Sequence, residues 1–289
     1  MTAHPITEPA RAKVNLSLIV HGRLASGYHA LESLVVFAKI GDELTAEPAG
    51  DLSLKLTGPY GAGLEAEGDD NLVLKAARAF KQQAGASLML KKNLPVASGL
   101  GGGSADAAAA LRALRALWRI DISDGQLAEL AARLGADVPV CLASRPAMMS
   151  GIGEVLSPLT KLPEFWLVLA NPGLPVPTAP VFKALAAAPI EASPAPPPAP
   201  AFENIAALTA WLADRPNHLE AAARALVPQI SEVIAALDQT PGCELARMSG
   251  SGASCFGIYG TQAKARSAAA ELKQAHKQWW VEAALVEGV

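Results

Sequence analysis

In "AKVNLSLIV", residues 12–20, Val14, Leu16 and Leu18 alternate with Lys13, Asn15 and Ser17. That two-residue period is the mark of a strand with one apolar face, and it sets Lys13 and Asn15 side by side on the other. The next apolar pattern, "NLVLKAARAFKQQAG", predicts a helix with Asn71 as N-cap and Gly85 as its stop. "SLMLKK" after it reads as a strand. A further helix fills Ala105 to Leu117, and another opens at Ser123, where Ser123 and Gln126 have capping-box spacing and Gly135 marks the end. "FWLVLANPG" predicts a short buried strand closed by Pro-Gly turn chemistry. "ALAAAPIEASPAPPPAP" is a low-complexity surface insertion or linker with no single expected conformation. Helical spacing resumes from Asn217, "MSGSGASCFGIYG" is a second glycine-rich stretch, and "TQAKARSAAAELKQAHKQ" is an amphipathic helix. Strands and helices alternate without a regular βαβ rhythm or an internal repeat, so the expected class is α+β, not a doubly wound parallel sheet.

Composition narrows the function. A chain of 289 residues exceeds one ordinary domain, and two are expected. With 51% hydrophobic and 18% charged residues it can build a full core, which excludes disorder. A net charge of −3 and the lack of any Lys/Arg run longer than two leave no electrostatic footprint for nucleic acid, so the expected partner is a small molecule. Cys141, Cys243 and Cys255 form no CxxC pair and read as reduced packing residues, not as a zinc site. The first residues lack an apolar signal core, and no apolar run approaches the roughly 20 residues that span a bilayer. The expectation is a cytoplasmic protein with no membrane partner.

The chemistry concentrates in "NLPVASGLGGGSADAAAAL", residues 93–111, where glycines at 99, 101, 102 and 103 run into an alanine-rich helix. A helix start carries unpaired N–H groups and a partial positive charge, and glycines let an anion approach them closely. Phosphate is the natural guest. No lysine follows as a Walker A loop requires, Ser104 replaces the third glycine of a dinucleotide fingerprint, and the helix is wrong for a protein-kinase glycine loop. A simple glycine hinge stays open as the alternative.

"PVASGLGGGSADAAAAL" resembles the ATP-binding motif of the GHMP small-molecule kinases. "AKVNLSL", "GYHALESLV", "LGADVPV" and "MSGSGASCF" follow the family's order over nearly the whole chain. The resemblance implies a two-domain α+β GHMP kinase fold. Residues 1–156 would form an ATP-binding domain like ribosomal protein S5 domain 2, and residues 157–289 a ferredoxin-like C-terminal domain, with ATP and substrate between them. It implies ATP with Mg2+ and, from the triple glycine before Ser104, a cytidine diphosphate-linked methylerythritol as acceptor, phosphorylated on its 2-hydroxyl in non-mevalonate isoprenoid synthesis.

Site residues follow from the same motifs. Asp137 reads locally as an N-cap ahead of Pro139, and by resemblance is the catalytic aspartate that takes the acceptor's proton. Lys13 reads alone as a solvated charge, and by resemblance orients that aspartate and stabilises developing negative charge. Resemblance assigns the ATP phosphates to Pro95, Val96, Ala97, Ser98, Gly99, Leu100, Gly101, Gly102, Gly103, Ser104 and Ala105, with Lys92 near the nucleotide. It assigns substrate contacts to Asn15, Tyr28, His29, Gly250, Ser251 and Gly252, and more loosely to Thr178 and Phe182, where a core Phe is the alternative. Cys141 replaces an aromatic common in the family, and Asn217-His218 stands where the family commonly has Asn-Asp.

Overall fold

The computed structural model describes residues 4–62, 68, 70–82 and 84–289. The chain forms two compact units that interleave along the sequence: Met1–Ala12, Gly41–Val96 and Gly101–Ser144 make the first, and Lys13–Ile40, Ala97–Leu100 and Arg145–Val289 the second.

In the first unit, the later part of β3 (His29–Ala49) pairs antiparallel with β5 (Gly85–Lys91), which runs parallel to β4 (Leu52–Thr57). The beginning of β1 (Ile6–Asn15) belongs here too. In β5, Ala86, Leu88 and Leu90 are buried while Ser87, Met89 and Lys91 face outward, the alternation of a sheet with one covered face. Four helices complete the unit: α1 (Leu72–Ala79), α2 (Gly102–Leu117), α3 (Asp124–Leu134) and α4 (Val138–Ala143).

Asn71 caps α1 as expected, its Oδ1 accepting from the Val73 amide at 2.9 Å. The helix ends at Ala79, earlier than the Gly85 stop expected from sequence, because Lys81 turns into the left-handed region at φ 53°. Gly85 instead opens β5, where a Cβ would lie 2.5 Å from the backbone of Gly50 and Asp51. The glycine serves close strand approach, not helix termination. The capping box of α3 is complete: Ser123 Oγ accepts from the Gln126 amide at 3.2 Å and Gln126 Oε1 from the Ser123 amide at 2.9 Å.

Helix α2 packs against α1, α3 and α4, and Ala105, Asp106, Ala107 to Ala110, Leu111, Ala113 and Leu114 are all buried. A helix covered on most sides needs small residues for its neighbours to approach, and this accounts for the alanine run.

The second unit is built on an antiparallel sheet in the order β9 (Cys243–Met248), β10 (Cys255–Tyr259), β8 (Phe165–Asn171), β11 (Trp280–Val286), with β11 reaching β3 where Val286 pairs with Ala38. Along β8, Phe165 and Leu167 to Ala170 are fully buried, as the apolar run predicts. Helices α8 (Gln229–Asp238) and α9 (Gln262–Ala275) pack on these strands through a core that includes Val168, Ile230, Val233, Leu237, Leu272 and Val281. The unit also holds β2 (Ile19–Arg23), β6 (Ala147–Ser150), β7 (Val155–Pro158), α5 (Thr178–Leu185), α6 (Ile205–Ala213) and α7 (Glu220–Leu226).

Sequence reasoning missed α6. It follows the proline-rich segment directly and is started by Asn204, whose Oδ1 accepts from the Ala207 amide at 2.9 Å. Ala184 and Leu185, the first residues of the Pro/Ala segment, close α5; from Ala186 on the segment forms neither helix nor extended strand, yet it is held near its beginning. The Arg23 amide donates to Ala188 O at 2.8 Å and the Ile190 amide to Arg23 O at 2.9 Å, making a bridge between Arg23 and Pro189.

Because α2 is enclosed, Ala109→Leu is expected to overpack its surroundings and lower stability by about 1–3 kcal/mol, read as a lower urea midpoint.

Candidate active site

The two glycine-rich stretches meet backbone to backbone within the second unit. Gly99 adopts φ 77°, and a Cβ there would strike the Ser249 carbonyl and lie 2.9 Å from the Gly252 nitrogen. Ser249 Oγ donates to Gly99 O at 3.0 Å, and the Ser254 amide donates to Ser98 O at 2.9 Å. The same serine ties in β1, since the Asn15 amide donates to Ser249 Oγ at 3.1 Å, and the Lys13 amide donates to Leu100 O at 2.9 Å. Lys13 and Asn15 are therefore buried, at 4% and 3% exposure. The local reading of Lys13 as a solvated charge is corrected: both faces of β1 are covered here.

Ser249 and Asn217 are site residues that the sequence reading does not single out. Asn217 Nδ2 donates to Met248 O at 3.0 Å and to Gly250 O at 2.8 Å, while its Oδ1 accepts from the Leu219 amide at 3.0 Å. It clamps the second glycine loop from beneath. A polar residue set between Pro216 and His218, at the head of a helical pattern, is the available signal. His218 Nδ1 meets the Val20 amide at 3.1 Å, so His218 braces β2. Thr178 reaches the same loop through a 2.9 Å hydrogen bond between its Oγ1 and Ser251 Oγ.

Tyr28, His29 and Phe182 also fall in the second unit. The rings of His29 and Phe182 lie 4.7 Å apart at 31°, and Tyr28 is 60% exposed. Phe182 packs on the core as well, so the two readings of this residue are compatible. Burial and then the nearby Arg23 charge lower the His29 pKa below its usual value, which keeps the imidazole neutral at pH 7.

The first unit holds Lys92, Pro95, Val96, Gly101 to Ala105 and Asp137. Gly101 occupies the N-cap of α2 in the left-handed region at φ 65° and offers no side-chain cap, which suits the first amides of α2 to an anion. Lys92 is buried and ion-paired with Asp42 and, at 2.6 Å, with Asp106 Oδ2. Burial alone would lower the Lys92 pKa, but the two carboxylates outweigh it and hold the ammonium charged. Burial pushes Asp106 up to about 7, against the pull of Lys92 and with the Asp42 charge adding to it. Asp137 holds the N-cap position of α4 as expected, but its side chain makes no capping hydrogen bond. Among the described residues, no group of three or more His, Cys, Asp and Glu side chains is placed to hold a metal ion.

Comparison with known proteins decides the family. The GHMP kinases N-terminal domain matches residues 71–145 and the GHMP kinases C-terminal domain residues 199–278. A 4-diphosphocytidyl-2-C-methyl-D-erythritol kinase of Parvibaculum lavamentivorans is 55% identical over 98% of this chain and 99% of its own. The chain belongs to the GHMP kinase family. The kinase of the same name from Rhodospirillum rubrum is 50% identical over 97% of this chain and 92% of its own. A crystal structure of 4-(cytidine 5'-diphospho)-2C-methyl-D-erythritol kinase superposes with a TM-score of 0.76 at 35% identity, covering 98% of this chain and all of the other. Homoserine kinase from Cytophaga hutchinsonii shares the GHMP fold, with a TM-score of 0.70 at 18% identity over 99% of this chain and 96% of its own. This GHMP kinase is an α+β enzyme that phosphorylates a small molecule. No helix among its described residues is long and apolar enough to cross a membrane.

Two outcomes are expected from the geometry. Gly99→Ala places a side chain at a left-handed φ against the second loop, so it should cost more than about 1 kcal/mol in thermal unfolding and raise the KM for ATP. His29, titrated by NMR, should protonate below pH 6.5. Its folded pKa is depressed, so the stability that the neutral ring contributes is present above the unfolded value and is lost as pH falls below it. Removing the Arg23 charge by Arg23→Ala should raise the midpoint.

Proposed function

We propose that this kinase transfers the γ-phosphoryl group of ATP to the 2-hydroxyl of 4-diphosphocytidyl-2-C-methyl-D-erythritol, giving the 2-phosphate and ADP. The observation that carries this reading over other GHMP activities is the aromatic group of Tyr28, His29 and Phe182. It belongs to the same compact unit as Lys13, Asn15 and the tips of both glycine loops. A pyrimidine offers a flat face for stacking and an edge for hydrogen bonds. A neutral His29 has one ring nitrogen to donate and one to accept. Homoserine and mevalonate have no base to use such a group.

The division of labour follows phosphoryl-transfer chemistry, which asks for alignment, charge stabilisation and a proton acceptor. Pro95 to Ala105 wrap the phosphates, with Gly99 and Gly101 supplying the left-handed turns and the α2 amides meeting the anion. Ser104 lies in the first turn of α2, within the anion-binding end. Asp137 accepts the proton of the acceptor hydroxyl as the phosphoryl group arrives, and Lys13 orients that carboxylate and stabilises the charge that develops. Asn15, Thr178 and Gly250 to Gly252 hold the acceptor, and Lys92 supports the nucleotide side. Bound together with ATP, magnesium would supply charge neutralisation at the phosphates. The functional division is a nucleotide-binding domain over residues 1–156 and a C-terminal domain over 157–289, the two family matches falling on either side of that boundary. The enzyme works in the cytoplasm, where Cys141, Cys243 and Cys255 remain thiols.

The test is ADP release from purified protein with Mg-ATP and 4-diphosphocytidyl-2-C-methyl-D-erythritol, run beside homoserine and mevalonate. Turnover is expected with the cytidine compound alone, and turnover with either of the others would overturn the substrate. Asp137→Ala should lower kcat by about 10²–10⁴ with little change in KM. Tyr28→Ala should instead raise the KM for the acceptor about tenfold, the worth of one lost base stack. Small and equal effects at both positions would refute the assigned roles.

A further inference from the structure

Below the phosphate-binding end of α2 lie three buried charged side chains, Asp42, Lys92 and Asp106, all in the first unit. Asp42 Oδ1 accepts from the amides of Asn93, at 2.6 Å, and Leu94, at 2.8 Å, the residues that lead into the glycine-rich loop. Its other oxygen pairs with the Lys92 ammonium. That ammonium also holds Asp106 Oδ2 at 2.6 Å, and Asp106 sits just after the first turn of α2, where the loop ends. One lysine thus ties both chain ends of the loop to a single point. The approach is close, because a Cβ on Gly102, the first residue of α2, would lie 3.5 Å from Lys92 Nζ and 3.7 Å from Asp42 Oδ2.

Stability alone does not account for this cluster. Desolvating the Lys92 ammonium and its two carboxyl partners offsets most of their attraction, and apolar side chains of similar volume commonly serve a core as well or better. Asp106 Oδ1 is moreover buried with no hydrogen-bond partner, an added cost that a purely structural cluster has no reason to carry. What an ion trio provides and an apolar one lacks is direction: each contact fixes a distance and an angle between the two ends of the loop.

We propose that Asp42 and Asp106, acting through Lys92, are positioning residues for the nucleotide, setting the spacing between the start of the glycine-rich loop and the first amides of α2. Neither aspartate is assigned a contact with substrate. The proposal rests on the reading of this loop as the ATP site.

Steady-state kinetics with Mg-ATP and 4-diphosphocytidyl-2-C-methyl-D-erythritol, beside a thermal melt, test it. Asp106→Ala cuts the tie to α2 and is expected to raise the KM for Mg-ATP about tenfold, with the acceptor KM within about twofold of wild type. Asp106→Asn keeps an oxygen facing Lys92 and should recover most of that loss. Asp42→Asn keeps the shape and the acceptor for the two amides but turns an NH2 group toward the Lys92 ammonium, which removes that ion pair. It should raise the ATP KM about threefold, and it decides the matter if Asp106→Ala does not fold. Variants that melt earlier with both KM values unchanged would show a merely structural cluster and overturn the proposal. If the wild-type protein turns over and these variants keep its ATP KM, this inference alone fails; if the wild-type protein releases no ADP, the kinase reading fails and the inference falls with it.

Discussion

The close backbone approach of Gly99 to the stretch from Ser249 to Gly252 constrains everything around it. A side chain at Gly99 has no room, and its φ of 77° lies in the region that glycine enters most readily. Once the two loops touch, their polar groups need partners, and Ser249 supplies them: it donates to Gly99 O and accepts from the Asn15 amide. That single hydroxyl joins the phosphate loop, the second loop and β1. The Lys13 amide, bonded to Leu100 O, completes the connection. The placement of Lys13 and Asn15 thus follows from main-chain geometry before any side-chain chemistry is considered.

The first unit meets a different demand. There the loop ends in a helix whose N-terminus has no capping side chain, so the fold has to fix that terminus from behind. Enclosure of α2 by α1, α3 and α4 favours alanine, which fills seven of its sixteen positions, and alanine gives little purchase for orientation. The directional contacts come from the buried charges beside Asp106, which locate the first turn of α2 more sharply than small apolar surfaces can. Arg112 extends the same logic to α4: its Nη1 donates to Cys141 O at 3.3 Å while its Nε pairs with Glu8 at 2.7 Å, anchoring the end of the helix that Asp137 begins.

Local signals were legible in the sequence wherever a single element decides its own form. The capping box at Ser123, the Asn71 cap and the buried run of β8 are set by near neighbours in the chain, whereas α2 begins at Gly102, ahead of the Ala105 start expected from sequence, with no capping side chain to mark it. Gly85 was misread because a glycine near a helix end and a glycine at a strand crowded by Gly50 look alike in one dimension. The burial of Lys13 and Asn15, and of Lys92 beside Asp42, depends on residues tens to hundreds of positions distant, which no spacing rule reports. Asn217 shows the limit most plainly. In sequence it resembles the start of a helix, and in the structure its amide holds two carbonyls of a loop some thirty residues later.

The contacts divide by kind under the proposed function. The loop proposed to hold phosphate is made of main-chain amides, left-handed glycines and small side chains. The backbone path itself survives extensive sequence change, since homoserine kinase at 18% identity still superposes over nearly the full chain. The groups proposed to hold the acceptor are side chains. Tyr28, His29 and Phe182 stand on β2–β3 and α5, and the chain around Arg23, Ala188 and Ile190 braces them. The low-complexity segment is therefore not neutral filler: its residues from Ala188 to Ile190 pin the strand that carries Arg23, the charge that, after burial, helps to keep His29 neutral.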